Sequence, residues 1–310
     1  MSNRKAITWF LLIAFGLAWI LFILPLAFGT PGSALRQTVT LISWSLAMWA
    51  PGLGAIVATR YAAGEPLSTL NLRRLGEKRA YLWAWLLPPI LAALAGLFTW
   101  LFGAGRLDLE FSLIRAAIPE QAGQILPVGL FVAIQALAAL TVGPLFNTIF
   151  ALGEELGWRG FLLPKLLPLG QWRAILLSGA IWGIWHAPAI LQGHNYPTMP
   201  VAGVFMMIVF TVLLGAIFSW LYLRTRSPWA PALAHGSINA SAGLPLLFLT
   251  GVDISIGGTI VSVIGWIPLA LFVGWLVWTR RLPVVEEGVT SAAEVEGDTV
   301  SRETSQRVGE

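Results

Sequence analysis

Cysteine is absent from the 310 residues, which excludes disulfides, thiol nucleophiles and cysteine-ligated metals. Charge is scarce too. Asp, Glu, Lys and Arg make up 11% of the chain, where an ordinary soluble domain has about a quarter. So little charge excludes a soluble globular protein. The net charge of +4 does not point to nucleic acid, because the cations sit at the ends of apolar runs rather than in a patch. Aspartate is missing from every apolar stretch, so a paired-aspartate intramembrane protease is excluded. No Gly-x-Ser-x-Gly motif is present to supply a serine nucleophile.

What the chain does have is hydrophobicity: 57% of the residues are apolar and the mean hydropathy is +0.77. A helix of about 20 apolar residues crosses the roughly 30 Å of bilayer hydrocarbon. Eight such stretches are expected, at 7–28, 39–61, 81–103, 127–150 continuing towards 163, 173–191, 201–223, 229–250 and 257–279. The fourth is long and reads as one tilted helix or as two pieces broken near Gly143-Pro144. The first lacks the small-residue cleavage site of a signal peptide. Tryptophans such as Trp83, Trp85, Trp229 and Trp278 lie near span ends, as interfacial aromatic belts do. The domain reading is therefore a membrane-embedded unit over 1–281 followed by a polar, disordered tail over 282–310.

Eight crossings place all of the 19 Lys and Arg residues except Arg36, Arg106 and Arg115 on the side of the termini. Cytoplasmic loops carry the excess of cations, so both termini are expected in the cytoplasm. The lack of an organelle-targeting signal points to a prokaryotic plasma membrane. Small residues four apart, Gly153 with Gly157 and Gly179 with Gly183, would let helices approach closely.

An ionisable group at the centre of a membrane helix costs about 2.5–3.5 kcal/mol on insertion scales, so each one needs a reason. The fourth stretch holds Glu154, Glu155 and Arg159, the fifth His186, and the seventh His235 and Asn239. Counted from Lys165, Arg173 and Arg226 at about 1.5 Å per residue, Glu154, His186 and His235 lie about 16, 20 and 13 Å deep. Adjacent Glu154 and Glu155 differ by about 100° around the helix and cannot face the same way. Glu155 and Arg159, four apart, suit an ion pair, which leaves Glu154 for a cavity. His235 and Asn239 project from consecutive turns. A carboxylate base, two imidazoles and an amide suffice to activate water and hold an oxyanion. His194 sits in a polar loop and is read as surface, as are Asp108, Glu110 and Asp253.

Taken together, Glu154-Glu155-x-x-x-Arg159, Trp182-x-x-x-His186 and His235-x-x-x-Asn239 resemble the three motifs of the CAAX prenyl endopeptidase and bacteriocin-processing family. The resemblance covers about residues 145–250, and Trp182 stands where that family usually has Phe. It implies an all-α fold of about eight transmembrane helices around a cytoplasm-facing cavity, and hydrolysis of a peptide bond by glutamate-activated water. It further implies that Glu154 with His186 activates the water, that His235 with Asn239 binds the oxyanion, and that Glu155 and Arg159 support the site. No cofactor is required in this reading. A zinc ion on Glu154, His186 and His235 is the alternative, although no His-Glu-x-x-His helix is present. The implied partners are a peptide or protein substrate, lipidated or membrane-bound, and the bilayer. A proton-relaying transporter and a non-catalytic scaffold of the same fold are the competing classes.

Overall fold

The computed structural model describes residues 3–117 and 127–284. Apart from residues 282–284, the expected disordered tail lies outside the described residues. Thirteen α-helices are labelled below in chain order. The only strands among the described residues are β1 (Arg106–Leu107) and β2 (Leu249–Thr250), which pair antiparallel. The all-α expectation holds, and the chain is an integral membrane protein.

Helix is found in each of the eight expected stretches. The first is α1 (Asn3–Ile23), and the second is α2 (Ala34–Ala47) with α3 (Ala50–Val57). The third is α4 (Ala80–Leu101). After the short α5 (Ser112–Ala117) come α6 (Val128–Leu140), α7 (Val142–Gly157) and α8 (Leu163–Leu166) in the fourth. The fifth contains α9 (Gln171–Trp185) and α10 (Ala187–Leu191), and the sixth is α11 (Pro200–Thr225). The seventh and eighth hold α12 (Trp229–Ser241) and α13 (Trp266–Trp278). By length and composition, four continuous helical segments can cross a bilayer, and a fifth if the bent pair around Thr141 counts as one. The 13-residue α12 and α13 reach only about 20 Å at 1.5 Å per residue. Between them the chain stays apolar but loses helical continuity, starting at Gly243-Leu244-Pro245. Hydropathy measures apolar length and is blind to that break.

Proline sets the bend in the fourth stretch. Pro144 has no N–H to offer the carbonyl of Leu140 four residues earlier. The chain turns by 45° at Thr141 (φ −118°, ψ −82°), and the indole N–H of Trp85 donates to the Leu140 carbonyl at 2.8 Å. The break thus lies within three residues of the place the sequence suggested, and its freed acceptor is satisfied from α4.

Alternating helices sort the connections onto two opposite faces. One face carries Asn3, the connection 64–79, the turn at Gly170 and residues 226–228 and 279–284. It is tied together by Arg224 to Glu77 (2.8 Å for both bonds), by Lys165 to Glu65, and by Gln171, whose amide oxygen accepts the Val284 N–H at 2.7 Å. The other face carries residues 24–33, 102–117, 192–199 and 242–265. It is tied by the β1–β2 pair and by Tyr196, which donates to the Val261 carbonyl at 2.7 Å. Arg36, Arg106 and Arg115 are the cations of this second face, and the remaining described ones, except buried Arg159, belong to the first.

The small-residue pairs lie where helices come closest. A Cβ on Gly153 would sit 2.6 Å from the Met48 carbonyl oxygen, and one on Gly179 or Gly183 would sit 2.8 or 2.6 Å from the Cα of Val212 or Ile208. Those neighbours are backbone and cannot swing aside. Gly179→Val should therefore destabilise the protein by about 1–3 kcal/mol through overpacking of the α9–α11 seam. Gly16→Ala, whose Cβ would meet nothing within 4 Å, should leave stability unchanged or raise it. Thermal unfolding in detergent micelles checks both; equal midpoints would remove the close-packing role.

Candidate active site

The three polar motifs meet in the middle of the fold. On α7, Glu154 and Glu155 are 2% and 0% exposed, and the chain continues beyond them through π-type turns over Trp158–Leu162 that carry Arg159, also 0% exposed. Their side chains part company, as adjacent helical residues must. Glu155 Oε1 accepts from Arg159 Nη1 at 3.0 Å and from His235 Nδ1 at 2.9 Å. Glu154 Oε2 instead accepts the indole N–H of Trp182 at 2.7 Å and faces a cavity.

His186 owes its position to a helix end. Pro188 supplies no N–H to the turn before it, and α9 stops at Trp185. The last turn tightens, so that the His186 N–H reaches the Gly183 carbonyl at 3.2 Å. The carbonyl of Trp182 receives His186 Nδ1 at 2.8 Å. A carbonyl can only accept, so Nδ1 is the protonated ring nitrogen and Nε2 is left for other partners. His235 is held in the same sense, because its Nδ1 faces a carboxylate already paired with a guanidinium. Both imidazoles thus have one nitrogen anchored and the other free.

Trp182 links the parts. Its ring centroid is 5.7 Å from that of His186 and 5.4 Å from that of His235, and the Arg159 guanidinium carbon lies 4.4 Å above it. An aromatic packing role was all that the sequence suggested for this residue. The structure adds an N–H donor to Glu154 and a cation–π platform for Arg159. The available signal was its place one turn before His186, on the same helix face.

The cavity has a volume of about 850 Å³. Glu154, Trp182, His186, His235 and Asn239 all line it, while Glu155 and Arg159 lie behind the wall. Asn239 is exposed, one turn beyond His235 on α12. Phe210, Met207 and Leu214 of α11 make an apolar wall. The rim comes from Pro31, Gly32, Arg36, Gln37, His194 and Asn195, so His194 is exposed as expected but stands at the mouth. Every rim residue belongs to the face opposite the termini.

Among the described residues, no three His, Cys, Asp or Glu side chains are placed to hold a metal ion. Glu154, His186 and His235 do not close into the open three-ligand shell that catalytic zinc takes. Glu154 is turned towards Trp182 and His235 towards Glu155.

Residues 134–241 match the family model described as type II CAAX prenyl endopeptidase Rce1-like. The matched stretch is about a third of the chain. It contains every residue of the site from Glu154 to Asn239 and begins within α6. The family is one of proteases, which implies a peptide or protein substrate and a membrane setting. Among curated proteins, none matches the chain.

The Glu155 cluster generates a stability prediction. Removing one member of a fully buried ion pair leaves the other charge uncompensated, at about 3–5 kcal/mol. Glu155→Ala should therefore lower the unfolding midpoint sharply, whereas Glu154→Gln, which breaks no ion pair, should leave it near that of the wild type. Detergent thermal unfolding of the two variants side by side is the check. Equal midpoints would mean that the cluster does not hold the fold together.

Proposed function

We propose that the protein is an intramembrane endopeptidase in which Glu154 activates a water molecule against the scissile carbonyl. The observation that carries this reading is the division of labour between adjacent carboxylates. One is locked by a cation and an imidazole behind the wall; the other is held by a single indole N–H and faces the cavity.

In this mechanism Glu154 takes a proton from water as the water oxygen bonds to the peptide carbonyl carbon. His186, its Nδ1 anchored on the Trp182 carbonyl, helps to hold that water. Negative charge then develops on the carbonyl oxygen. The Asn239 amide acts as its donor, and His235 adds a second through Nε2 in the doubly protonated form of the ring, in which Nδ1–H donates to the Glu155 carboxylate. Collapse of the tetrahedral species breaks the C–N bond, and the proton held by Glu154 passes to the departing amine. Glu155 and Arg159 are positioning residues that keep His235 in one orientation. No cofactor is needed for these steps. The substrate is a peptide segment of a membrane-bound or lipidated protein, and the setting is a prokaryotic plasma membrane.

A catalytically idle scaffold would tolerate loss of the Glu154 carboxylate. Purified Glu154→Gln should instead lose peptide cleavage while keeping its fold. Asn239→Ala should reduce kcat by about 10²–10³, the usual loss for one oxyanion donor, with a smaller change in KM. Cleavage of a peptide library that includes lipidated members reads out both. A Glu154→Gln variant as active as the wild type would end the glutamate–water mechanism, and an unchanged kcat in Asn239→Ala would remove Asn239 from it.

A further inference from the structure

We infer that Arg36 anchors a carboxylate of the bound peptide, within about five extended residues of the bond that is cut. The inference rests on the peptidase reading for the peptide, and on the surroundings of Arg36 for the carboxylate.

Arg36 stands in the first turn of α2, where nothing in the helix calls for a cation. Ser33 caps this helix by accepting the Arg36 N–H at 3.4 Å, and Arg36 is the third residue after that cap. A Glu there would complete a reciprocal capping box and suit the positive end of the helix dipole, which a cation opposes. No carboxylate answers the charge. Among the described residues the Arg36 guanidinium makes no ion pair, hydrogen bond or ring contact. Arg115, a cation of the same face, has Glu110 at 3.9 Å.

What Arg36 does face is the cavity. It is half-buried, and with Gln37, Thr40 and Trp44 it lines the cavity along one side of α2. Histidines aside, Arg36 and Glu154 are the only ionisable residues of the lining. The two lie far apart. Met48, the C-cap of α2, has its carbonyl against Gly153, the neighbour of Glu154. From Arg36 to Met48 the helix rises about 18 Å at about 1.5 Å per residue. An extended peptide covers that distance in about five residues at about 3.3 Å each, and the reach of the arginine side chain shortens it. The separation suits the chemistry. A second anion beside Glu154 would repel the base, whereas at Arg36 it meets a planar fork that binds a carboxylate through two N–H donors. The carboxylate is the peptide's C-terminus or an acidic side chain, which present the same pair of oxygens.

Peptide binding to the full-length Glu154→Gln protein, which holds peptide without cutting it, tests this. Three apolar peptides of one sequence would carry an uncharged dye at the N-terminus. One has a free C-terminal carboxylate, one is amidated, and one is amidated with a single internal glutamate. Fluorescence anisotropy in an uncharged detergent reads their affinities. The free-carboxylate or the glutamate peptide should bind at least about tenfold more tightly than the neutral one, as a charge-assisted hydrogen bond allows, and the tighter of them identifies the source. Adding Arg36→Gln should remove that preference without weakening the neutral peptide. Arg36→Glu, which completes the capping box and so should fold at least as well, should make the anionic peptides the weakest. Equal binding of all three peptides, binding of none, or a preference that survives Arg36→Gln would overturn the inference. Cleavage by the wild type is read separately. Glu154-dependent cutting of all three at equal rates would leave the peptidase without this anchor, and carboxylate-selective binding with no cutting would leave the anchor without the peptidase.

Discussion

A carboxylate, a guanidinium and an imidazole buried together inside a membrane domain are the constraint around which this structure is arranged. Glu155 accepts from Arg159 on its own helix and from His235 on α12, and nothing replaces those partners at that depth. Each ion alone would carry a desolvation penalty of several kcal/mol. Their mutual pairing makes burial tolerable and in doing so fastens α12 to α7. The stacking of Arg159 on Trp182 extends the same fastening to α9. Three helices from distant parts of the chain are thereby held at one relative depth.

The polar groups that line the cavity depend on that frame and on two prolines. Pro188 ends α9 so that His186 falls on the junction, where the Trp182 carbonyl selects which ring nitrogen carries the proton. Pro144 bends the chain ahead of Glu154, and Trp85 of α4 satisfies the carbonyl released by the bend. Interruptions that would destabilise an isolated helix become means of aiming side chains, because neighbouring helices supply the missing hydrogen bonds. Close contact at Gly153, Gly179 and Gly183 brings those neighbours within reach.

The proposed function follows from the asymmetry this produces. Of two adjacent glutamates, one is surrounded by compensating charge and the other is left with a neutral donor and access to an 850 Å³ cavity. The first suits orientation of an imidazole and the second suits proton transfer. The polar residues at the cavity's rim are drawn from one face of the helix bundle.

The sequence by itself determined the membrane class, the eight places where helix forms and the short inventory of polar residues at depth. Each of these is a local property. Apolar length, a lone Glu or His in an apolar run, and the 100° phase between neighbouring residues can all be read without knowing what lies opposite. Glu155 and Arg159 were legible as a pair because both sit on one helix. Only the tertiary structure decided that His235 shares Glu155 with Arg159, that Trp182 donates to Glu154, and that the helices in the seventh and eighth stretches stop after 13 residues. It also decided which residues rim the cavity, which no single span records. These are contacts between groups as far as 80 residues apart, and the packing of separate helices brings them together.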